Sequence, residues 1–194
     1  MVGAVQLKLH DMPWGLKRFH HSGQSHFVTF CCYHRHPLLA VDSCKTVFEL
    51  ALERVRRNFR LRVYGYVVMP EHVHLLVSEP ERKTLAEALK SLKQGVSRRL
   101  IGDAEHFWQK RYYDHNVRNY AKFVEKLRYI HRNPVKSGLC QRPEDWEFSS
   151  FRHYATGYEG RVEIESEWTA RKRERAAGKL GPRVEVPHSS QNQA

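Results

Sequence analysis

Two histidines one residue apart, His72 and His74, stand in the run Tyr64-Gly65-Tyr66-Val67-Val68-Met69-Pro70-Glu71-His72-Val73-His74-Leu75-Leu76-Val77. Alternate side chains of a β-strand share a face. His72, His74 and Leu76 therefore point one way, and Val73, Leu75 and Val77 the other. The apolar set can enter a core while two imidazoles converge outside it, a geometry that suits a divalent metal ion. A bare His-x-His is also the trace of two surface histidines on a half-buried strand. The rest of the chain decides between the two.

A second chemical group lies further along. At 3.6 residues per turn, Tyr120, Phe123, Val124, Leu127 and Ile130 cluster on one side of a helix. Tyr129 falls nearly opposite, on the side of Lys122, Lys126 and Asn133. Tyr129 and Asn133 are four residues apart and share a stripe. An aromatic in a helix usually packs into the core, and the wheel argues against that here. Two readings remain: a surface tyrosine lying across lysine stems, or a functional phenol. Nearby positive charge favours phenolate over phenol, and tyrosine is a covalent nucleophile in some enzymes. Two imidazoles and one amide oxygen would hold a hard divalent cation and leave positions open for a phosphate. Mg2+ or Mn2+ is the natural occupant for phosphoryl chemistry. A tighter zinc site would recruit thiolates or more histidines.

These groups need a scaffold. Gln24 to Tyr33 is rich in Phe, Val, Thr and Cys, a strand signal. Asp42 or Ser43 can cap a helix in which Phe48, Leu52, Val55 and Phe59 recur at helical spacing. Leu61 to Met69 reads as a second strand and His72 to Ser78 as a third, joined by Pro70-Glu71. Thr84 opens a second helix marked by Leu85, Leu89, Leu92, Val96 and Leu100, which Gly102-Asp103 ends. Phe107 to Val117 holds a fourth strand. Tyr120 to Asn133 is the third helix, stopped by Pro134. Val135 to Ser150 reads as a loop anchored by Trp146 and Phe148. The order is the split βαβ of an α+β, ferredoxin-like fold. It predicts an antiparallel sheet with helices on one face and the histidines on the open face. The expected divisions are a basic arm over 1–22, a domain over 23–155 and a C-terminal extension over 156–194. The extension lacks apolar periodicity after about residue 170 and reads as disordered.

Composition narrows the partners. The chain has 194 residues, enough for one domain with a proper core. Its 33 Lys and Arg give a net charge of +12, which implies a polyanion, with nucleic acid the leading candidate. No apolar stretch approaches the ~20 residues of a membrane span, and the N-terminus has no secretory pattern. No membrane partner and a cytoplasmic location are expected. The cysteines Cys31, Cys32, Cys44 and Cys140 form no Cys-x-x-Cys pair. Strand alternation would split Cys31 from Cys32, so reduced thiols are expected rather than a metal cluster.

Three ordered blocks resemble a known family. Pro70-Glu71-His72-Val73-His74 looks like the His-hydrophobic-His motif of HUH endonucleases and transposases. Trp108-Gln109-Lys110-Arg111-Tyr112-Tyr113-Asp114-His115 and Tyr129-Ile130-His131-Arg132-Asn133-Pro134-Val135-Lys136-Ser137-Gly138-Leu139 are closer still to the REP-associated tyrosine transposases. This is a branch of the single-tyrosine HUH (IS200-like) transposases. Trp146-Glu147-Phe148-Ser149-Ser150 also fits it, and the likeness covers roughly residues 20–155. The resemblance implies a nuclease and strand-joining enzyme for single-stranded DNA. Tyr129 matches the nucleophile, which attacks a DNA phosphate and forms a 5′-phosphotyrosine. His72 and His74 match the metal ligands, and Asn133 takes the place of the polar residue one turn beyond the tyrosine. The implied substrates are short imperfect palindromes beside a short guide sequence. Arg118, Lys122 and Lys126 would hold flanking phosphates, and Trp108, Tyr112 or Tyr113 would stack on unpaired bases. The extension after Pro134 looks more like a monomeric branch than a dimeric one.

Two other readings compete. Tyr64 and Tyr66 on a ferredoxin-like sheet would suit a non-catalytic nucleic-acid-binding module. A hydrolase using metal-activated water would leave Tyr129 incidental and form no covalent adduct.

Overall fold

The computed structural model describes residues 25–101 and 106–178. The basic arm over 1–22, the helix stop at Gly102-Asp103 and the last sixteen residues lie outside them.

Four strands form one sheet: β1 (Ser25–Cys31), β2 (Val63–Val68), β3 (His72–Ser78) and β4 (Tyr113–Val117). Their order is β2-β3-β1-β4, and every neighbouring pair is antiparallel. With α1 (Asp42–Phe59) and α2 (Leu85–Leu100) as crossovers, this is the expected ferredoxin-like arrangement. The short Met69-Pro70-Glu71 link makes β2 and β3 a hairpin, closed by Met69 N–H donating to the His72 carbonyl at 2.9 Å. Strand β4 is shorter than expected. Residues before it contribute only an isolated bridge from Trp108 to Cys32.

Alternation along β1 divides the sheet. Phe30 packs on Phe48 of α1 with ring centroids 6.0 Å apart, so Val28 and Phe30 mark the face covered by α1 and α2. The other face carries Phe27, Thr29, His72 and His74. It is not open. Helix α3 (Tyr120–Lys136) lies across it, with Phe123, Leu127 and Ile130 buried. The expectation of helices on one face is therefore corrected to helices on both. The apolar stripe of α3 needs a hydrophobic surface, and the core face of α1 and α2 is already occupied. Gly65 of β2 lets α3 approach closely: a Cβ built there would stand 2.5 Å from Leu127 Cδ1.

Local signals set most helix ends. Thr84 and Glu87 form the capping box of α2, and the Asn119 side chain caps α3 through Lys122 N–H at 2.9 Å. Helix α1 differs. Its N-cap is Val41, and Asp42 instead pairs with buried Lys45 Nζ at 2.9 Å. Pro134 does not stop α3. Proline removes one N–H and crowds the carbonyl four residues before it, yet the ladder resumes with Ser137 N–H to the Asn133 carbonyl at 3.0 Å. Burial of Ile130, His131, Asn133 and Pro134 holds the extra turn.

The C-terminal segment covers the edge of β2. Val68 N–H donates to the Phe148 carbonyl at 2.9 Å, and Ser150 N–H to the Tyr66 carbonyl at 3.0 Å. Trp146 and Phe148 anchor it as expected: Trp146 Nε1 donates to the Val68 carbonyl at 3.1 Å, and Phe148 is buried. A short α4 (Phe151–Thr156) follows, then α5 (Glu167–Ala176). The disorder expected after about residue 170 is thus corrected through Ala176. Charge pairing, not apolar periodicity, holds α5. Ser166 caps it, Arg173 pairs with Glu163 and Glu165, and Lys172 pairs with Glu159.

Candidate active site

The strand and the helix bring their chemical groups into one pocket. His72, His74, Tyr129, Asn133 and Lys126 line it, together with Phe27, Thr29, Arg35, Glu71 and Tyr113. Its volume is about 620 Å³. Both histidines are buried, at 7% and 4% exposure, because α3 roofs them. They do not stand on an open face. Tyr129 is 39% exposed and sits at the mouth. Its ring meets His74 edge-on at 5.1 Å and Phe27 at 5.8 Å. Lys136 Nζ lies 5.8 Å from the ring centroid, and Lys126 Nζ lies 5.1 Å from that of Phe27.

Each imidazole is held by its inner nitrogen. His72 Nδ1 donates to Glu71 Oε1 at 2.7 Å, and His74 Nδ1 meets Thr29 Oγ1 at 2.7 Å. Such partners fix ring orientation and tautomer. Both Nε2 atoms then face the pocket, 3.0 Å apart. Burial first, then the charges of His72 and Arg35, pushes His74 down to about 3, so it is neutral at physiological pH. That separation suits an N–H of one ring donating to the other, or a cation held between the two.

Asn133 closes the set. Its Nδ2 lies 3.3 Å from His74 Nε2. Its Oδ1 is buried with no hydrogen-bond partner among the described residues. The extra turn of α3 through Pro134 keeps Asn133 on the Tyr129 stripe. Two imidazole nitrogens and an orphaned amide oxygen fit a divalent cation. Among the described residues no three His, Cys, Asp or Glu side chains converge on one point, and a three-donor set here would include the amide. The Cys31–Cys32 stretch forms no such cluster either.

The expected DNA-contacting residues divide. Lys126 and Tyr113 line the pocket. Tyr112 and Arg118 are exposed outside its lining, and Lys122 is exposed and paired with Glu125 at 2.7 Å. Trp108 is corrected from base stacking to packing. Its ring lies 5.0 Å from Phe30 on the α1–α2 face, and its Nε1 donates to the Lys93 carbonyl at 3.0 Å. The sheet of an RNA-recognition module is also excluded. Tyr64 and Tyr66 are buried, and Tyr66 donates its hydroxyl to Glu49 at 2.7 Å.

Thr29, Arg35 and Phe27 escaped sequence reasoning. Thr29 is paired with His74 across the sheet, and only the β1–β3 register reveals that. Arg35 reaches Glu71 at 3.6 Å from a left-handed backbone position, φ 56°. Glu71 stood in the quoted motif, but its bond to His72 did not follow from spacing.

A four-stranded antiparallel sheet, paired histidines on a central strand and a tyrosine on the roofing helix define the class. Residues 20–133 match the family model described as Transposase IS200 like, which is more than half of the chain, and the chain belongs to that family. Within it, the chain is similar to the REP-associated tyrosine transposase of Escherichia coli (strain K12), with 26% identity over 136 residues, 70% of this chain and 81% of that one. A putative REP-associated tyrosine transposase of Haemophilus influenzae (strain ATCC 51907 / DSM 11121 / KW20 / Rd) is 28% identical over 117 residues, 54% of this chain and 66% of that one. A solved REP-associated tyrosine transposase bound to a REP hairpin superposes with a TM-score of 0.61 and 26% identity, covering 73% of this chain and 86% of that one. No described helix is long and apolar enough to cross a membrane.

Proposed function

We propose that this transposase is a metal-dependent endonuclease and strand transferase for single-stranded DNA. It cleaves beside a DNA hairpin through a 5′-phosphotyrosine. The observation that carries this reading is the meeting of Tyr129 with His72, His74 and Asn133 in one pocket. The relative whose structure holds a REP hairpin supports the substrate class.

In this reading Tyr129 Oη attacks phosphorus in line, and the bond from phosphorus to the 3′ oxygen breaks. The phenol loses its proton, and the departing 3′ oxygen gains one. Tyr129 keeps the 5′-phosphate until a 3′-hydroxyl reverses the step on another strand. His72, His74 and Asn133 would hold Mg2+ or Mn2+, which when bound polarises the scissile phosphate. Thr29 and Glu71 keep both Nε2 atoms aimed inward. Lys126 and Lys136 bring positive charge to where the phosphate and the phenolate meet. Tyr113, more than half exposed at the rim, offers a face to an unpaired base. The pocket is complete within one chain, which supports a monomer.

The test is incubation of an oligonucleotide hairpin carrying a single-stranded flank with the protein and Mn2+ or Mg2+, followed by peptide mapping. An adduct on the peptide bearing Tyr129 is expected. Cleavage without any adduct would favour the hydrolase reading. An adduct on Tyr112, Tyr113 or Tyr120 would move the nucleophile. DNA binding without cleavage would leave a non-catalytic module.

A further inference from the structure

A second candidate site lies on the other side of the sheet. Helices α1 and α2 enclose a groove of about 590 Å³ that shares no residue with the Tyr129 pocket. Five cations line it: Arg54, Lys83, Lys90, Arg98 and Arg99. All five are exposed. Among the described residues none of them forms an ion pair, whereas Arg56, Arg57 and Arg173 all do. The one carboxylate in the groove, Glu87, is engaged by the Thr84 N–H and hydroxyl in the capping box.

Two features show that the cations are arranged. Arg54 lies over Gly95 of α2, its guanidinium filling the space a Cβ would take. A glycine inside a helix costs about 1 kcal/mol relative to alanine; here it admits Arg54 between the two helices. Lys83 holds a left-handed backbone, φ 63°, directly before the cap. Non-glycine residues rarely adopt that conformation.

The lining also identifies the ligand. Single-stranded nucleic acid is bound by cations interleaved with exposed aromatic rings. This groove offers no exposed aromatic, since its one ring, Phe59, packs against the core. Asn58, Ser91 and Gln94 add neutral hydrogen-bonding groups. Cations and short polar side chains without rings suit the phosphate backbone of a duplex. The absence of an apolar rim argues against a lipid surface.

We propose that the α1–α2 groove binds the phosphate backbone of the paired stem of the DNA substrate, apart from the cleavage pocket. The proposal rests on the DNA-cleaving reading above. It divides the substrate between the two faces of the sheet: stem on the helical layer, flank in the Tyr129 pocket.

The test compares wild type with Arg98→Gln/Arg99→Gln and, separately, Lys90→Gln. Glutamine is a good helix former and these positions are exposed, so the fold is retained. Three DNAs are titrated across a salt series: a hairpin with its flank, the hairpin alone, and the flank alone. Losing two phosphate contacts should weaken both hairpin ligands by about tenfold and flatten the salt slope by about 0.9 per contact. Affinity for the flank and its single-turnover cleavage at saturation should not change. Unchanged hairpin affinity and salt slope would overturn the groove assignment alone, with cleavage by wild type intact. Equal losses for hairpin and flank would overturn the stem as occupant. Failure of wild type to bind any of the three DNAs would overturn both readings.

Discussion

The Tyr129 pocket and the α1–α2 groove lie on opposite faces of one sheet, and their side chains differ in kind. The pocket is walled by rings: Phe27, His72, His74, Tyr113 and Tyr129. The Nε2 atoms of its two histidines are buried and face each other, their rings oriented by Thr29 and Glu71. The groove holds exposed cations that form no ion pair among the described residues, beside a single carboxylate, Glu87. A reaction at phosphorus needs fixed donors and little water. Holding a polyanion needs only charge in the right place, and that charge works best unpaired. A central strand under a roofing helix supplies the first environment, and the outer seam of two amphipathic helices the second.

The sharpest way to break this division is Tyr129→Phe. The ring and its packing on His74 and Phe27 stay, and only the oxygen leaves. Cleavage and adduct should fall below detection while affinity for a flanked hairpin stays within twofold of wild type. Substantial cleavage in a gel assay would remove the covalent mechanism.

His72→Ala or His74→Ala should lower cleavage by about 100-fold or more, comparable with losses seen when a metal site is disturbed. Because both rings are buried and hydrogen-bonded, each substitution should also cost roughly 1–2 kcal/mol of stability. Activity across a Mn2+ titration, read beside circular dichroism, separates the two effects. Wild-type activity in limiting Mn2+ would clear the histidines of ligation.

Trp108→Ala and Tyr113→Ala sharpen the contrast between the faces. Trp108 packs on the α1–α2 side, so its truncation should cost about 3 kcal/mol in urea unfolding. Tyr113 stands at the pocket rim, so its loss should weaken flank binding by about 1–3 kcal/mol and leave the urea midpoint in place. The reverse pattern would return Trp108 to the DNA.

Gly65→Ala tests the seat of α3. The added methyl must displace Leu127, costing about 1–3 kcal/mol. Displacing α3 moves Tyr129 relative to His74, so the cleavage rate should fall while affinity for the hairpin without its flank holds. Unchanged stability and rate would mean that α3 accommodates the methyl freely.

The last comparison concerns pH. His131 is buried in α3 beside Ser150 Oγ at 2.9 Å. Burial, aided by the charge of His153, pushes it down to about 3, and His74 shifts the same way. An unfolded histidine titrates near 6.5. Between about 6.5 and 3 the unfolded chain therefore binds more protons. Stability should be full above 6.5 and fall with decreasing pH through that window, on the order of a kcal/mol per pH unit for each group. Urea midpoints at pH 7.5, 6 and 5 measure it. His131→Gln should flatten the slope, and equal slopes for variant and wild type would acquit His131.

Local patterns carried much of this structure. Alternation along β3 matched its span from His72 to Ser78, and the Thr84 cap marks a real helix start. Where a local rule failed, tertiary packing outweighed it. Pro134 reads as a stop, yet burial of its neighbours carries α3 to Lys136. The region after residue 170 reads as polar coil, yet Arg173 and Lys172 find carboxylates from the preceding loop. Trp108 reads as a stacking ring in a basic stretch, and the chain folds it onto Phe30.

By itself the sequence determined which groups can do chemistry here: a strand that turns His72 and His74 to one side, and a helix that sets Tyr129 and Asn133 on one stripe. Both follow from the repeat of a single element, two residues in a strand and 3.6 in a helix. Only the tertiary structure decided that the two elements face each other. The β1–β3 register alone brings Thr29 to His74, and packing alone places α3 over the sheet face that carries the histidines. It also left the cations of α1 and α2 together on the far side. Those placements depend on contacts between residues tens of positions apart, and no local repeat in the chain encodes them.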